Sequence, residues 1–111
     1  MSQGLPKQEK LCGKTAVGYL FQHGKSVQEG CIRCKYLLRE DDLPSRILVS
    51  VPKRNFKRAV KRNLLKRRIR ESYRRQKPEF KADMIFIYTS AEVLPYEEIF
   101  CCMTRVLSAI K

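Results

Sequence analysis

Basic residues recur at intervals of four between positions 62 and 74, as Arg62, Lys66, Arg70 and Arg74. In a helix, residues four apart lie on the same side, so this spacing predicts one basic ridge. Ammonium and guanidinium groups bind phosphate oxygens, and arginine does so with paired N–H donors. The spacing therefore indicates a surface that can follow a phosphate backbone.

The ridge belongs to a strongly basic stretch that runs from Lys53 to Lys77. Thirteen of its twenty-five residues are Lys or Arg, and Glu71 is its only acidic residue. The formal net charge of the whole chain is +13, so the remaining residues are close to neutral. Charge confined to one element is the pattern expected of a protein that binds a polyanion.

A basic helix can also be a solvated surface or a membrane-binding element. A solvated helix face normally carries pairs of opposite charges, whereas here Glu71 alone is acidic and like charges four apart cost roughly 0.2–0.5 kcal/mol per pair. A helix lying on an anionic membrane would need a face rich in Trp and Phe, which this stretch lacks. Nucleic-acid binding is therefore the favoured interpretation.

The sequence offers no catalytic or metal-binding set of residues. His23 is the only histidine, no glycine-rich phosphate loop is present, and Asp41 and Asp42 fall in a predicted turn. Cys31 and Cys34 form a C-x-x-C, but in a strand their thiols would point to opposite faces. With five cysteines in all, we expect reduced thiols that act as small hydrophobic residues.

Hydrophobic periodicity predicts an α+β fold with a mixed sheet of three or four strands, in a single domain over residues 1–111. Residues 1–10 are polar and expected to be disordered. With no apolar run long enough to span a membrane and no secretory signal, a cytoplasmic location is expected. The predicted elements are a helix at 13–23 ended by a left-handed Gly24, a loop or short edge strand at 24–30, strands at 31–38, 46–51 and 84–89, a turn at 39–45, the basic helix between Pro52 and Pro78, and a final helix at 95–110.

Three details of these elements are also predicted. The run of Ile, Leu and Val at 46–51 favours a central strand. In the basic helix, two apolar stripes are expected, one with Phe56, Val60 and Leu64 and one with Leu65, Ile69 and Tyr73. In strand 31–38, Ile32, Cys34, Tyr36 and Leu38 should share one face, with Cys31, Arg33, Lys35 and Leu37 on the other.

The segment AVKRNLLKRRIRESYR, residues 59–74, resembles the signature of the bacterial ribonuclease P protein subunit, and so does LFQHGKS near the N-terminus. That signature reads approximately A-V-x-R-N-R-x-K-R-x-x-R-E. The chain departs from it at Leu64, where the family usually has arginine. It matches at Ala59, Val60, Arg62, Asn63, Lys66, Arg67, Arg70 and Glu71.

The resemblance implies both a fold and a function. The fold is a two-layer α/β sandwich like the second domain of ribosomal protein S5, with a left-handed β-α-β crossover. The function is removal of the 5′ leader from precursor tRNA, with the chemistry carried by a catalytic RNA and its Mg²⁺ bound mainly by that RNA. The protein would dock on the catalytic RNA and hold the single-stranded leader in a cleft. No cofactor of its own, membrane or protein partner is expected.

Two sets of residues follow from the family pattern. Phe21 matches the family pattern because it lies three residues before Gly24, but a role as a core residue explains it equally well. For Arg33 and Lys35, the alternative explanation is that they only cover an exposed sheet. Val17 stands where the family often has another aromatic. The predicted docking residues are Arg58, Arg62, Asn63, Lys66, Arg67, Arg70 and Arg74, and the predicted cleft residues are Phe21, Arg33, Lys35 and Tyr36.

Two other classes of protein share some of these features. A ribosomal or general RNA-binding protein of the same fold would carry the same basic helix. A DNA-binding regulator would need a recognition helix in the major groove, and so many basic side chains leave little capacity for reading bases. The motif at residues 59–71 favours the ribonuclease P assignment over both.

Overall fold

The computed structural model describes residues 14–39, 45–54 and 56–110, with the side chains of 14–16 excepted. Residues 1–10, which are expected to be disordered, fall outside the described residues, and so does the middle of the predicted turn at 39–45. Within the described residues, three helices and four strands follow one another: α1 (Lys14–His23), β1 (Lys25–Glu29), β2 (Ile32–Leu38), β3 (Arg46–Ser50), α2 (Ala59–Arg75), β4 (Ala82–Tyr88) and α3 (Tyr96–Ala109).

The four strands form one mixed sheet in the order β1-β2-β4-β3. β2 pairs antiparallel with β1 and β4, while β3 pairs parallel with β4 across the α2 connection. The expected mixed sheet is therefore confirmed. The expected central position of strand 46–51 is wrong, because β4 is central and β3 is an edge strand.

The edge position of β3 has a simple explanation. Ile47 and Val49 are buried on one face, and Leu48 packs against a second apolar cluster on the other face. An edge strand that is covered on both faces carries the same apolar run as a central strand, so hydrophobicity alone does not distinguish them. In β4, residues Ala82 to Phe86 are all buried.

The sheet has an apolar cluster on each face. Alternate residues of β4, such as Met84 and Phe86, pack with α2 and α3 in the larger core. Ile85 and Ile87 point the other way and pack around Leu20 of α1. α1 therefore lies on one face of the sheet, and α2 and α3 lie together on the opposite face.

α1 ends at Gly24, but not in the predicted way. The Gly24 N–H donates to the Leu20 carbonyl over 2.7 Å, and among the described residues only Gly30 has a positive φ. A Cβ at position 24 would lie 2.5 Å from the Leu20 oxygen and 2.9 Å from the Tyr36 oxygen. Glycine is needed here because the helix end approaches β2 closely, rather than for a left-handed conformation.

α2 begins at Ala59, later than the basic stretch suggested. Leu65, Ile69 and Tyr73 are buried, which confirms that stripe. The stripe of Phe56, Val60 and Leu64 is wrong, because Phe56 is a buried residue before the helix and Val60 is 78% exposed. A helix of 17 residues spans about 25 Å.

The two cysteines of the C-x-x-C motif do not lie on opposite faces. Cys34 follows the strand alternation and is buried with Ile32 and Tyr36. Cys31 precedes β2, in the turn after Gly30, and is buried in the same core. The alternation rule failed for Cys31 because the residue is not part of the strand. Leu38, at the other end of β2, is 42% exposed.

A buried carboxylate joins three segments at one end of the sheet. Asp83 accepts hydrogen bonds from Arg46 Nε at 2.9 Å, Arg46 Nη2 at 2.7 Å and Arg39 Nη1 at 2.6 Å. Burial by itself would raise the pKa of Asp83, but the hydrogen bonds from Arg46 and Arg39 outweigh it and lower the pKa below its usual value.

Candidate nucleic-acid interface

The rotation of α2 about its axis is set by its apolar residues. Leu65, Ile69 and Tyr73 face the sheet and α3, so the opposite side of the helix faces solvent. Asn63, Arg67 and Arg74 are exposed on that side. The predicted polar residues therefore lie on an accessible helix surface, which we call the basic face of α2.

The ridge of residues four apart winds around the helix instead of running straight. Four residues turn about 40° past a full turn, so the direction drifts between Arg62 and Arg74. Arg62, Lys66 and Arg70 are half-buried along the flank, and of these four residues only Arg74 is exposed. The expectation of one uniform ridge thus needs correction.

Arg62 binds the backbone of its own chain. Its Nη1 donates to the carbonyl of Phe56 at 2.6 Å and to that of Lys57 at 2.9 Å. On the other flank of α2, Arg68 donates to the Leu94 carbonyl over 2.5 Å. Two arginines of the basic helix therefore hold neighbouring loops in place.

Other basic residues of α2 are available for a ligand. Among the described residues, no hydrogen bond or ion pair is made by the side chains of Lys66, Arg67 and Arg70. Arg58, at the N-cap position, is exposed and its side chain makes no capping hydrogen bond. Because the first turn also lacks acidic residues, the positive helix terminus adds to the charge of this surface.

Glu71 offsets part of the charge at the end of α2. Its carboxylate accepts hydrogen bonds from Arg74 at 2.6 and 3.0 Å and lies 3.2 Å from Arg75. The hydrogen bond from Arg74 is the main cause of a lowered pKa of Glu71. The net positive charge of α2 is therefore concentrated toward its first three turns.

A second basic surface lies in a cleft between α1 and the sheet. Phe21 is 47% exposed, which excludes the alternative that it is a core residue. Lys35 of β2 donates to the Phe21 carbonyl over 3.1 Å, and its Nζ lies 5.6 Å from the centre of the Phe21 ring. Arg33, also on β2, is exposed on the same side. The cleft has a volume of about 430 Å³.

Residues that the sequence did not single out complete the cleft. Gln28 accepts hydrogen bonds from Arg33 Nε at 3.3 Å and Nη2 at 3.1 Å, because the β1–β2 register places these residues opposite each other. Ser26, Val27 and Ile87 line it as well. The sequence alone did not single out these residues because it lacks the register of the β1–β2 hairpin, which Gly30 and the strand limits together determine.

Tyr36 does not lie in the cleft. It is 7% exposed and packs in the larger core with Ile32 and Cys34, on the face of the sheet that α2 and α3 cover. Its neighbour Lys35 points the other way, as strand geometry requires. The prediction that Tyr36 lines the cleft is therefore wrong.

The cleft and the basic face of α2 lie on opposite sides of the sheet. Lys35 pairs with Ile85, which belongs to the cluster under α1, whereas Leu65 and Ile69 of α2 belong to the other cluster. The two surfaces are therefore separated by the sheet and can contact different ligands at the same time.

Within the described ranges, no group of three or more His, Cys, Asp and Glu side chains is arranged to hold a metal ion. His23 is exposed and its ring stacks on Tyr19, with centroids 4.2 Å apart. None of the described helices is long and apolar enough to cross a membrane.

Comparison with known proteins defines the family. The family model "Ribonuclease P" matches residues 5–111, and the chain belongs to this family. It is similar to the ribonuclease P protein component of Porphyromonas gingivalis, with 41% identity over 76 residues that cover 67% of this chain and 56% of that protein. The corresponding protein of Chlorobaculum tepidum is 36% identical over 81 residues, which cover 68% of this chain and 53% of the relative. The matches thus span little more than half the length of these curated relatives.

Solved structures show the same fold. The RNase P protein from Thermotoga maritima superposes with a TM-score of 0.81 at 24% identity, covering 93% of this chain and 98% of that one. The RNase P protein from Staphylococcus aureus superposes with a TM-score of 0.80, also at 24% identity, and the match covers 92% of this chain and 94% of the Staphylococcus aureus chain.

Proposed function

We propose that this chain is the protein subunit of ribonuclease P, which binds a catalytic RNA and the 5′ leader of precursor tRNA during leader removal. The observation that carries the proposal is the presence of two basic surfaces on opposite sides of one sheet. The basic face of α2 suits a folded RNA, and the cleft at Phe21 suits a single strand.

On the α2 side, the proposed role is electrostatic. Lys66, Arg67 and Arg70 would replace counterions along an RNA backbone, and this release favours binding. Asn63 would add a hydrogen bond to a ribose or phosphate oxygen. Arg62 would act mainly by fixing the loop before α2, because its guanidinium is already bound to the carbonyls of Phe56 and Lys57.

In the cleft, the proposed ligand is the single-stranded leader. The exposed ring of Phe21 offers a stacking surface for a base, and stacking tolerates any base sequence. Lys35 and Arg33 supply positive charge beside that ring for the phosphates. Gln28, held by Arg33, has its amide N–H groups available for a polar base edge.

The chemistry is assigned to the RNA. In this proposal the RNA would hold the Mg²⁺, which would supply Lewis-acid chemistry for hydrolysis of the phosphodiester, and the protein supplies no catalytic residue. Neutralised phosphates allow the RNA to fold and bind substrate at a lower concentration of the ion. The proposed location is the cytoplasm, where tRNA precursors are made in bacteria.

The decisive experiment is cleavage of a precursor tRNA by a bacterial ribonuclease P RNA at low Mg²⁺, with and without this protein. We expect the protein to restore 5′-leader removal. Lys66→Glu combined with Arg67→Glu should abolish the effect, whereas Arg105→Glu, an exposed site on α3, should reduce it little.

Binding without any gain in cleavage would overturn the assignment. In that case the protein would be a ribosomal or general RNA-binding protein of the same fold. A preference for duplex DNA over folded RNA at the same salt concentration would instead indicate a DNA-binding regulator.

A further inference from the structure

Two cysteines from distant parts of the chain lie side by side. Cys31 is in the β1–β2 turn and Cys102 is on α3, and their Sγ atoms are 3.3 Å apart. The backbone N–H of Cys31 also donates to the Cys102 sulfur over 3.3 Å. Both residues are buried, at 5% and 8% exposure. The thiols therefore face each other across a sequence separation of 71 residues.

The turn that carries Cys31 fits around the Cys102 sulfur. Gly30 has a φ of +56°, the left-handed conformation that a two-residue hairpin loop needs at its first position. A Cβ at position 30 would lie only 2.5 Å from Cys102 Sγ. The Thr89 N–H donates to the Cys31 carbonyl over 2.8 Å and fixes the other side of the turn. The distance between the sulfurs is thus set by the fold.

We propose that Cys31 and Cys102 are a redox modification site that closes reversibly into a disulfide bond. A disulfide is about 2.05 Å long, so the sulfurs must approach by roughly 1.3 Å, a distance that small side-chain rotations supply. This inference does not depend on the proposed role in RNA processing.

The other described cysteines lack this geometry. Cys34 is fully buried, and its thiol donates to the carbonyl of Lys35. Cys101 is exposed on α3, next to Cys102 in sequence but on another side of the helix. Among the described residues, only Cys31 and Cys102 bring two sulfurs into contact.

An oxidant reaches the pair from the α3 side. Cys102 lines a surface pocket of about 360 Å³ together with Glu98, Cys101 and Arg105. Cys31 lies behind it, and burial raises the pKa of Cys31 to about 12, with the Cys102 hydrogen bond adding to the effect. Cys102 is therefore the sulfur that reacts first, and Cys31 is the one that resolves the intermediate.

The proposed oxidant is a low-molecular-weight disulfide, RSSR. The Cys102 sulfur loses its proton, attacks one sulfur of RSSR and releases the first RS⁻. The Cys31 sulfur then loses its proton and attacks the Cys102 sulfur of the mixed disulfide, releasing the second RS⁻. The two protons end on the released thiolates, so two protein thiols are oxidised and one RSSR is reduced to two RSH.

The test uses the full chain and oxidised glutathione. After oxidation in native buffer, the protein is denatured, alkylated and weighed. The reduced chain has five cysteines and takes five alkyl groups. The oxidised chain should take three, and digestion should yield one cross-linked peptide pair containing Cys31 and Cys102. Because the new bond restricts the unfolded chain, Tm should rise on the order of 10 °C in the oxidised form.

Four variants identify the pair. Cys34→Ser and Cys101→Ser should still lose two alkylation sites on oxidation. Cys31→Ala should form no internal bond and should instead retain one glutathione on Cys102, whereas Cys102→Ala should lose no alkylation site. Mapping the cross-link in the unaltered chain keeps the test independent of how well any variant folds. The proposal is overturned by five alkylated cysteines after prolonged oxidation, by glutathione adducts without an internal bond, or by a cross-link through Cys12 or Cys101.

Discussion

Arg62 and Lys66 lie one turn apart on α2 and both match the family motif, yet their surroundings differ. Arg62 donates to two backbone carbonyls, whereas Lys66 contacts no acceptor among the described residues. The sequence predicted both as RNA ligands because the motif specifies residue types, and it carries no information on which guanidinium binds its own chain. The same limit explains why Tyr36 was predicted as a cleft residue. Its ring is buried in the core, although Arg33 and Lys35 of the same strand reach the cleft.

At the residue scale, Phe21 can be tested against a close control. Phe21→Ala should weaken binding of a single-stranded leader by about 1–3 kcal/mol, or ~5- to 150-fold in Kd, because a stacking surface is lost. Tyr19→Ala on the same helix should change the Kd little, since Tyr19 stacks on His23 instead of facing the cleft. The measurement is fluorescence anisotropy with a labelled leader oligonucleotide. Equal losses in both variants would show that Phe21 has no specific role.

The stability of the folded protein should depend on pH through Asp83. Its pKa in the folded state lies below the unfolded value of about 3.9, so its stabilisation is fully present above that pH and is lost as the pH falls through the folded pKa. Asp83→Asn should therefore destabilise the protein by about 1–3 kcal/mol at pH 7, and the difference from the parent should shrink below about pH 4. Urea denaturation at both pH values measures this.

Glu71→Gln is the matched control for Asp83→Asn. Glu71 also has a lowered pKa, but its partners Arg74 and Arg75 are exposed and its pairs are screened by solvent. We expect little change in stability at either pH. A constant difference between the Asp83 variant and the parent from pH 7 to pH 3 would refute the role of the ionised carboxylate.

At the scale of elements, most of the fold could be predicted from the sequence. The stripe of Leu65, Ile69 and Tyr73 in α2 is buried as expected. In α3, Ile99, Met103 and Val106 have the helical spacing of a core-facing stripe and are buried, as are Leu107 and Ile110. The start of α2 was not predictable, because the basic residues at 53–58 are compatible with helix or loop and no side chain caps the helix at Arg58.

Leu64 provides the test at this scale. It is half-buried, and α2 presents it on the solvent side, away from Leu65 and Ile69. Leu64→Arg restores the residue usual in the family and should tighten binding to the catalytic RNA. It should also steepen the slope of log K against log salt by about one unit, the value expected for one added phosphate contact. Binding titrations at several salt concentrations give the slope.

Ser108→Arg supplies the charge-matched control. Ser108 is exposed on α3, so the variant adds the same charge to the protein away from the basic face of α2. Its slope should stay at the parent value. An unchanged slope for Leu64→Arg, or the same increase in both variants, would mean that position 64 does not contact phosphate.

At the scale of the whole molecule, the concentration of charge has a thermodynamic consequence. α2 contains eight basic residues and one acidic residue, so its like charges repel while no anion is bound. Sulfate should bind this surface and raise Tm by roughly 5 °C or more, because a ligand that binds the folded state stabilises it. Thermal unfolding followed by circular dichroism measures the shift.

Sodium chloride at equal ionic strength separates binding from screening. It should raise Tm less than sulfate does. Lys66→Ala combined with Arg67→Ala should reduce the difference between the two salts, whereas Arg105→Ala on α3 should preserve it. Identical effects of both salts on the parent protein would exclude a specific anion site.

The placement of two ligand surfaces on opposite sides of one sheet bears on how strong each contact needs to be. On the proposed assignment, a catalytic RNA held by α2 also carries the tRNA body, so the leader meets the cleft as part of the same assembly. The second contact is then intramolecular, with an effective concentration on the order of millimolar. A cleft whose intrinsic affinity for a free oligonucleotide is only millimolar would be about half occupied in the assembly, while leaders not attached to a bound tRNA would hardly compete.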